Sequence, residues 1–356
     1  MNVFISKDEY LGEPLTLTYP RVDDLVNLII EKGSGSLLFK RDLSRAYRQI
    51  PIDMGDACLV GYAWNGHIFF DKVLSMGLRS AAQVCQRLTN AIAFIYRSLG
   101  FDIINYLDDF AGVEKPLFAH KAFLELKELF LSCGIEESEQ KAIAPSTRME
   151  FLGIVCDSEK LTLEISESRL KEILSVVVEW DNKQLASKRE VQSLVGKLNL
   201  VGFCVKPGRI FISRLLNWLR SIYSVEGKVL VPEFVKKDIK WWKSFLPLFN
   251  GISMMMKEEW SKPDGIFTSD ACLSGCWGMF KELFFYVEFP HSILDEHLHI
   301  NALEMLAVIA CLKMWGTKFK EKRILMKCDN QVTVYVINTG KSRNSYLQCF
   351  LREICF

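Results

Sequence analysis

Ile103-Ile104-Asn105-Tyr106-Leu107-Asp108-Asp109-Phe110-Ala111-Gly112-Val113 sets two adjacent carboxylates between two apolar runs. Neighbouring aspartates repel each other unless a cation sits between them, so the stretch reads as strand, turn and strand bearing metal ligands. A solvated hairpin turn is the competing reading, because aspartate tolerates turn backbone angles. A third carboxylate tips the balance. Asp42 ends another apolar run, Ser36-Leu37-Leu38-Phe39-Lys40-Arg41-Asp42-Leu43, which reads as a strand. Two strand-borne carboxylate sites meeting on one sheet edge would make a divalent metal cage.

The chain has 356 residues, enough for two or three domains, and its 49% apolar content supports real cores. A formal net charge of +1 gives no whole-chain attraction to nucleic acid or to a membrane surface, so any such affinity must be local. The 11 cysteines form no C-x-x-C pair, and no histidine stands at zinc spacing from Cys272 and Cys276. Reduced thiols in an intracellular protein, in cytoplasm or nucleus, are expected. Met1 to Glu13 lacks the basic flank and apolar core of a signal peptide, and no uninterrupted apolar run approaches a membrane span; a soluble chain is expected.

From Leu37 to Asp157 short apolar runs alternate with amphipathic stretches. Strands are predicted at Leu37 to Asp42, Ala57 to Trp64, His67 to Val73 and Phe151 to Cys156, and helices at Ala81 to Leu99 and Leu117 to Cys133, the latter ended by Gly134. That order suits an antiparallel sheet backed by helices, an α+β arrangement. From Leu161 to Met256 the texture is helical, with Ser187 and Glu190 at capping-box spacing and a break at Pro207-Gly208 before Arg209 to Ser221. Ser261 to Gly265 reads as a linker. Strands follow at Ile266 to Ala271, Cys276 to Lys281 and Leu283 to Phe289, then a helix at Ala302 to Trp315, a strand at Arg323 to Asp329 and another helix.

These motifs form an ordered set that resembles the polymerase of a retroelement. Asp42-Leu43-Ser44-Arg45-Ala46-Tyr47-Arg48-Gln49-Ile50-Pro51-Ile52 is similar to the first catalytic motif of reverse transcriptases. Leu74-Ser75-Met76-Gly77-Leu78-Arg79-Ser80-Ala81-Ala82 with Gln86 resembles the next, Tyr106-Leu107-Asp108-Asp109 the aspartate box, Lys141 the lysine after it, and Phe151-Leu152-Gly153 the strand leading to the primer grip. Tyr19-Pro20-Arg21-Val22-Asp23-Asp24, Pro207-Gly208-Arg209, Trp241-Trp242 and Ile300-Asn301-Ala302-Leu303-Glu304 are similar to segments of DIRS-type, or related gypsy-like, retrotransposon polyproteins.

The resemblance implies a right-hand polymerase: partial fingers and palm over 1–158, a helical thumb and connection over 159–260, and a C-terminally truncated ribonuclease H-like α/β domain over 261–356. Asp42 and Asp108 would hold two magnesium ions, Asp109 would complete the cage, and the backbone carbonyl of Leu43 would add a ligand. Tyr47 would lie under the incoming sugar and exclude a 2′-hydroxyl, its plainer reading being an aromatic core residue. Met76, Gly77, Gln86 and Lys141 would line the nucleotide, Lys141 as a proton donor to pyrophosphate; charge balance against Glu136, Glu137 and Glu139 explains that lysine more simply. Asp270, Glu304 and Asp329, across strand, helix and strand, resemble a ribonuclease H metal site with ions of its own.

Nucleic-acid contact has a separate hint. From Lys183 to Arg220 eight basic residues (Lys183, Lys188, Arg189, Lys197, Lys206, Arg209, Arg214, Arg220) face one acid, Glu190. Of these, Lys188, Arg189, Lys197 and Arg209 are candidate phosphate contacts for a primer-template duplex, a solvated helix face being the alternative. Trp241-Trp242 reads as core. Ser75 and Ala82 replace prolines common in the second motif. The triphosphate-gripping part of the fingers is expected before Met1, and the ribonuclease H fold is expected to be cut at Phe356, before its last strand, last helix and fourth acid. The expected partners are primer-template, deoxynucleoside triphosphates and the rest of a polyprotein. The competing expectations are an impaired or domesticated nucleic-acid-binding remnant, and a chain retaining only ribonuclease H chemistry.

Overall fold

The run Leu37–Asp42 (β1) alternates side chains across two faces, which places Phe39 in the core and Lys40 and Asp42 together on the other face. In the computed structural model, residues 5, 9–10, 12–14, 17–205, 207–248, 251–254 and 262–355 are described. Lys206, the boundary at Met256, Ser261, Met1 and Phe356 lie outside the described residues. The chain divides into two compact units, Met1–Glu164 and Ile165–Phe356.

In the first unit, helix α1 (Val22–Lys32) precedes β1, and a hairpin follows, β2 (Gly61–Trp64) and β3 (His67–Phe70). Next come α2 (Ala81–Ser98), β4 (Ile103–Tyr106), β5 (Asp109–Glu114), α3 (Pro116–Ser132) and β6 (Ile143–Ser146). A meander of β7 (Arg148–Phe151), β8 (Ile154–Asp157) and β9 (Thr162–Glu164) closes the unit. Strands β4-β5-β1-β6 form one antiparallel sheet. Phe39, Ile103 and Phe110 from the sheet pack with Ile92, Ala93 and Tyr96 of α2 and Ala122, Leu126 and Phe130 of α3. Each such large side chain, fully buried, contributes roughly 1.5–3 kcal/mol, so this layer anchors the sheet. Gly112 is required there: a Cβ would come within 2.2 Å of the Phe39 ring.

Three predicted strands of this unit differ. Ala57–Val60 winds into a 3-10 turn, because Asp53 accepts from the Gly55 amide at 2.7 Å and curls the chain. Only Gly61–Trp64 and His67–Phe70 remain extended, exposed on both faces. Phe151 to Cys156 is two strands, folded back at Leu152 and Gly153, both with positive φ, as a tight two-residue hairpin demands.

In the second unit, α4 (Glu167–Asp181), α5 (Lys188–Cys204), α6 (Gly208–Ser221) and α7 (Glu233–Phe245) form the helical block, with a short ribbon of β10 (Leu185–Ser187) and β11 (Lys228–Leu230). The Ser187-Glu190 capping box opens α5 as the sequence suggests. Trp241 and Trp242 are core, Trp241 stacked on Phe211 at 3.8 Å.

Then β12 (Gly265–Ala271), β13 (Gly275–Phe280) and β14 (Leu283–Glu288) form an antiparallel meander. Helix α8 (Ile300–Phe319) crosses to β15 (Ile324–Lys327), which pairs with β12 in parallel, giving the order β14-β13-β12-β15. Helices α9 (Gln331–Thr339) and α10 (Ser345–Cys355) follow. Among the described residues α8 is the one helix long and apolar enough to cross a membrane by length and composition, although Asn301, Glu304 and Lys313 interrupt its apolar run. Leu303, Ala307, Val308 and Cys311 are buried, as suits a core helix with little polar face.

Candidate functional site

Asp42 and Asp109 stand opposite one another at the end of a six-pair antiparallel register that begins with Leu37 and Glu114. Asp108 occupies the turn between β4 and β5, beside Leu107 at φ 52. A left-handed leucine is unfavourable by roughly 1 kcal/mol and needs outside support. Gln86 of α2 supplies it: its Oε1 accepts the Leu107 amide at 2.7 Å, and its Nε2 donates to the Asn105 carbonyl and to Asn90 Oδ1, each at 2.8 Å. Asn105 donates in turn to Thr89 Oγ1 at 3.1 Å and Asn90 Oδ1 at 2.8 Å. The Asp108 carbonyl accepts the Leu43 amide at 2.9 Å, tying the turn to the strand that carries Asp42.

Gln86 is therefore committed. It is fully buried, and both ends of its amide are engaged, so the expected nucleotide contact has no exposed group to carry it. Its place in the chain is explained by the turn that it holds.

The charges are arranged in pairs. Asp42 is buried, and burial foremost, followed by a hydrogen bond with Asp109, pushes its carboxyl up to about 6; Lys141 pulls the other way. Lys141 Nζ lies 2.9 Å from Asp42 Oδ1, and Lys40 Nζ lies 2.8 Å from Asp109 Oδ1. The glutamates near Lys141 have other partners: Arg41 holds Glu137 at 2.6 Å, and Lys127 holds Glu139 at 2.6 Å. Charge balance against those glutamates is thus not what Lys141 does. Lys40 was not among the candidate residues, although the two-residue period of β1 puts it on the face of Asp42.

Tyr47 is half-buried against the helix-backed core, while Met76 is 76% exposed and Gly77 takes φ 94. The donor set suits a hard divalent cation, being all carboxylate oxygen, with a desolvated acid set against an ammonium group. Asp42, Asp108 and Asp109 are not drawn to a single-ion spacing. Among the described residues the ligand atoms that lie within 4.8 Å of one another belong to Glu304, Cys328 and Asp329.

That second group sits beside the β12-β15 parallel pair. Glu304 on α8 is buried and pushed up to about 7, first by burial and then by its hydrogen bond with Asp270, the Ala271 amide opposing. Asp270 Oδ1 accepts the Ala271 amide at 2.8 Å, Asp270 Oδ2 accepts Trp277 Nε1 at 3.3 Å, and Cys328 Sγ donates to Glu304 Oε2 at 3.8 Å. Asp329 lies past the end of β15 at Lys327, not within a longer strand. The structure thus brings Asp270, Glu304 and Asp329 together and adds Cys328, which sequence reasoning missed.

The predicted basic face is largely paired. Lys183 binds Glu190 at 2.8 Å, Lys197 binds Glu172, and Lys188 donates to the Tyr223 carbonyl at 2.9 Å while lying 3.5 Å from the Tyr223 ring centre. Arg189 and Arg209 are exposed.

No family model and no curated protein matches the chain. Among solved structures, the foamy viral protease-reverse transcriptase in complex with RNA/DNA hybrid superposes with a TM-score of 0.52 at 14% identity, covering 92% of this chain and 44% of that one. The same protein in complex with double-stranded DNA gives 0.54 at 14% identity, covering 91% of this chain and 66% of that one. A form of it labelled dRH, also with double-stranded DNA, gives 0.53 at 13%, covering 97% and 59%. The fold is reverse-transcriptase-like, and the chain spans about half the length of these structures.

Proposed function

We propose that this chain is an RNA-directed DNA polymerase of a retroelement, of DIRS or gypsy-like type, which extends a primer 3′-hydroxyl on an RNA or DNA template. The observation that carries the reading is the Asp42–Asp109 register pair with Asp108 in the adjoining turn, on a helix-backed sheet of reverse-transcriptase-like fold. Asp42, Asp108 and Asp109, with the Leu43 carbonyl, would hold magnesium, which supplies activation of the primer hydroxyl and neutralisation of the triphosphate. Lys40 and Lys141 set ammonium groups against Asp109 and Asp42, and Gln86 fixes the turn that presents Asp108. Tyr47 would contact the sugar, with Met76 and Gly77 lining its entry. Of the four candidate phosphate contacts, Arg189 and Arg209 are the exposed ones that would meet the primer-template backbone.

The test is primer extension on an RNA template with deoxynucleoside triphosphates and magnesium. Incorporation that is lost in Asp108→Ala supports the reading; no magnesium-dependent incorporation by the wild-type chain overturns it.

A second reading concerns the other carboxylate group. The sheet order β14-β13-β12-β15, with Asp270, Glu304 and Asp329 around its parallel pair, favours a ribonuclease H-like metal nuclease. Cleavage of the RNA strand of a hybrid that persists in Asp108→Ala and vanishes in Asp270→Ala would establish it. If neither activity is found while hybrid binding persists, the chain is a nucleic-acid-binding remnant.

A further inference from the structure

We propose that the arginine-lined cavity between α6 and α10 binds phosphates, with consecutive phosphates of a nucleic-acid strand as the favoured ligand. The cavity has a volume of about 540 Å³ and is lined by Arg214, Arg220, Arg343 and Arg352 with serine, asparagine and glutamine side chains and no carboxylate. That size falls in the range of ligand sites and exceeds what one phosphate group needs. In a chain with a net charge of +1, four guanidiniums at one cavity are a local concentration of charge.

The inner wall is fixed. Arg352 is buried, and its guanidinium donates to the Gln348 and Ile210 carbonyls and to Ser213 Oγ, each at 3.0 Å. Asp238, almost wholly buried behind it, faces both Arg352 and Arg214 at 3.4 Å. One carboxylate thus answers two guanidiniums, and a positive charge remains on the inner wall.

The outer wall is open. Arg220 and Arg343 are exposed and make no ion pair among the described residues; Arg220 donates only to Asn217 Oδ1 at 3.2 Å. Ser342, Arg343 and Ser345 also surround the start of α10, where Asn344 Oδ1 accepts the Tyr346 and Leu347 amides at 2.9 and 3.1 Å. A helix N-terminus adds partial positive charge. Planar guanidiniums match phosphate oxygens in a two-point fork, better than they match a spherical anion, which selects phosphate ligands. The pre-set Arg352 and the exposed outer pair suit a strand that slides, since outer contacts can be exchanged while the inner one stays aligned.

The experiment uses the full chain and an Arg220→Ala/Arg343→Ala double variant, whose substitutions are on exposed side chains. Binding of a fluorescent RNA/DNA hybrid is followed by anisotropy over a potassium chloride series. The slope of log affinity against log salt should fall by about 2 in magnitude, with a loss of roughly tenfold or more at low salt, because each phosphate contact contributes close to one. An Asp108→Ala chain should keep the wild-type slope, which separates this site from the polymerase reading. Pyrophosphate is the second probe. If it raises the wild-type melting temperature but not that of the double variant, while hybrid binding is the same in both, the cavity takes free phosphates. If the salt slope and the pyrophosphate response are both unchanged by the double substitution, or an acidic peptide stabilises the chain where neither phosphate probe does, the proposal is overturned.

Discussion

Replacing Gln86 by leucine separates a residue that holds a turn from one that touches a nucleotide. The substitution keeps the apolar bulk but strips the Leu107 N–H and the Asn105 carbonyl of the side-chain partners at 2.7 and 2.8 Å. Each buried group left without a partner costs about 1–3 kcal/mol, so the change should destabilise the fold by about 2–6 kcal/mol. That is a large share of the roughly 5–15 kcal/mol by which domains are stable. Urea unfolding followed by near-ultraviolet circular dichroism measures it. In primer extension, kcat should fall because Asp108 is no longer held, while KM for the deoxynucleotide stays unchanged. A stability within about 0.5 kcal/mol of wild type, together with a raised KM, would refute the reasoning and return Gln86 to the nucleotide.

Three other perturbations follow from the same geometry. Gly208→Ala places a Cβ 2.3 Å from Trp242 Cη2 in a closed core, so tryptophan-monitored unfolding should show a loss of about 1–3 kcal/mol. Burial pushes Asp238 up to about 6 from the ordinary 3.8, against Arg352 and Arg214, so the folded state holds the proton more tightly than the unfolded chain. Its contribution is full below pH 3.8 and lost as pH rises through 6, a fall of about 3 kcal/mol that urea titrations should register and that Asp238→Asn should abolish. Lys141→Ala removes the ammonium 2.9 Å from Asp42, and the magnesium concentration that half-saturates primer extension should drop several-fold; an unchanged requirement would mean that the lysine and the ion do not compete.

The parts of the fold that obey a simple period were legible. The six residues of β1, the α2 and α3 helices and the Ser187-Glu190 cap follow from alternation, amphipathic spacing and local capping chemistry. The Asp42–Asp109 juxtaposition was legible as geometry, since both acids stand at the ends of predicted strands. What escaped was set by tertiary partners. Nothing local to Gln86 shows that its amide ends on the Leu107 turn, and nothing local to Lys197 shows that Glu172 answers it. Cys328 was read among scattered thiols, because its approach to Glu304 needs the crossing of α8 over the sheet. The 3-10 winding of Ala57–Val60 was missed because an apolar run says nothing of an Asp-Gly turn just before it.

The six-pair register of β1 and β5 also bears on which changes of length the chain can tolerate. Side chains alternate along a strand, so deleting or inserting one residue between Leu37 and Asp42 would turn Asp42 to the helix-packed face and bring Arg41 or Leu43 to its place. Where the shift reaches Phe39 it also moves that ring off Gly112, where an added Cβ would meet it. A single-residue insertion there thus costs the carboxylate pair and the core at once, while the exposed hairpin turn at Asn65-Gly66 touches neither. Variation in length among working copies of such a sequence should therefore gather at that turn and be absent from the strands that carry the acids.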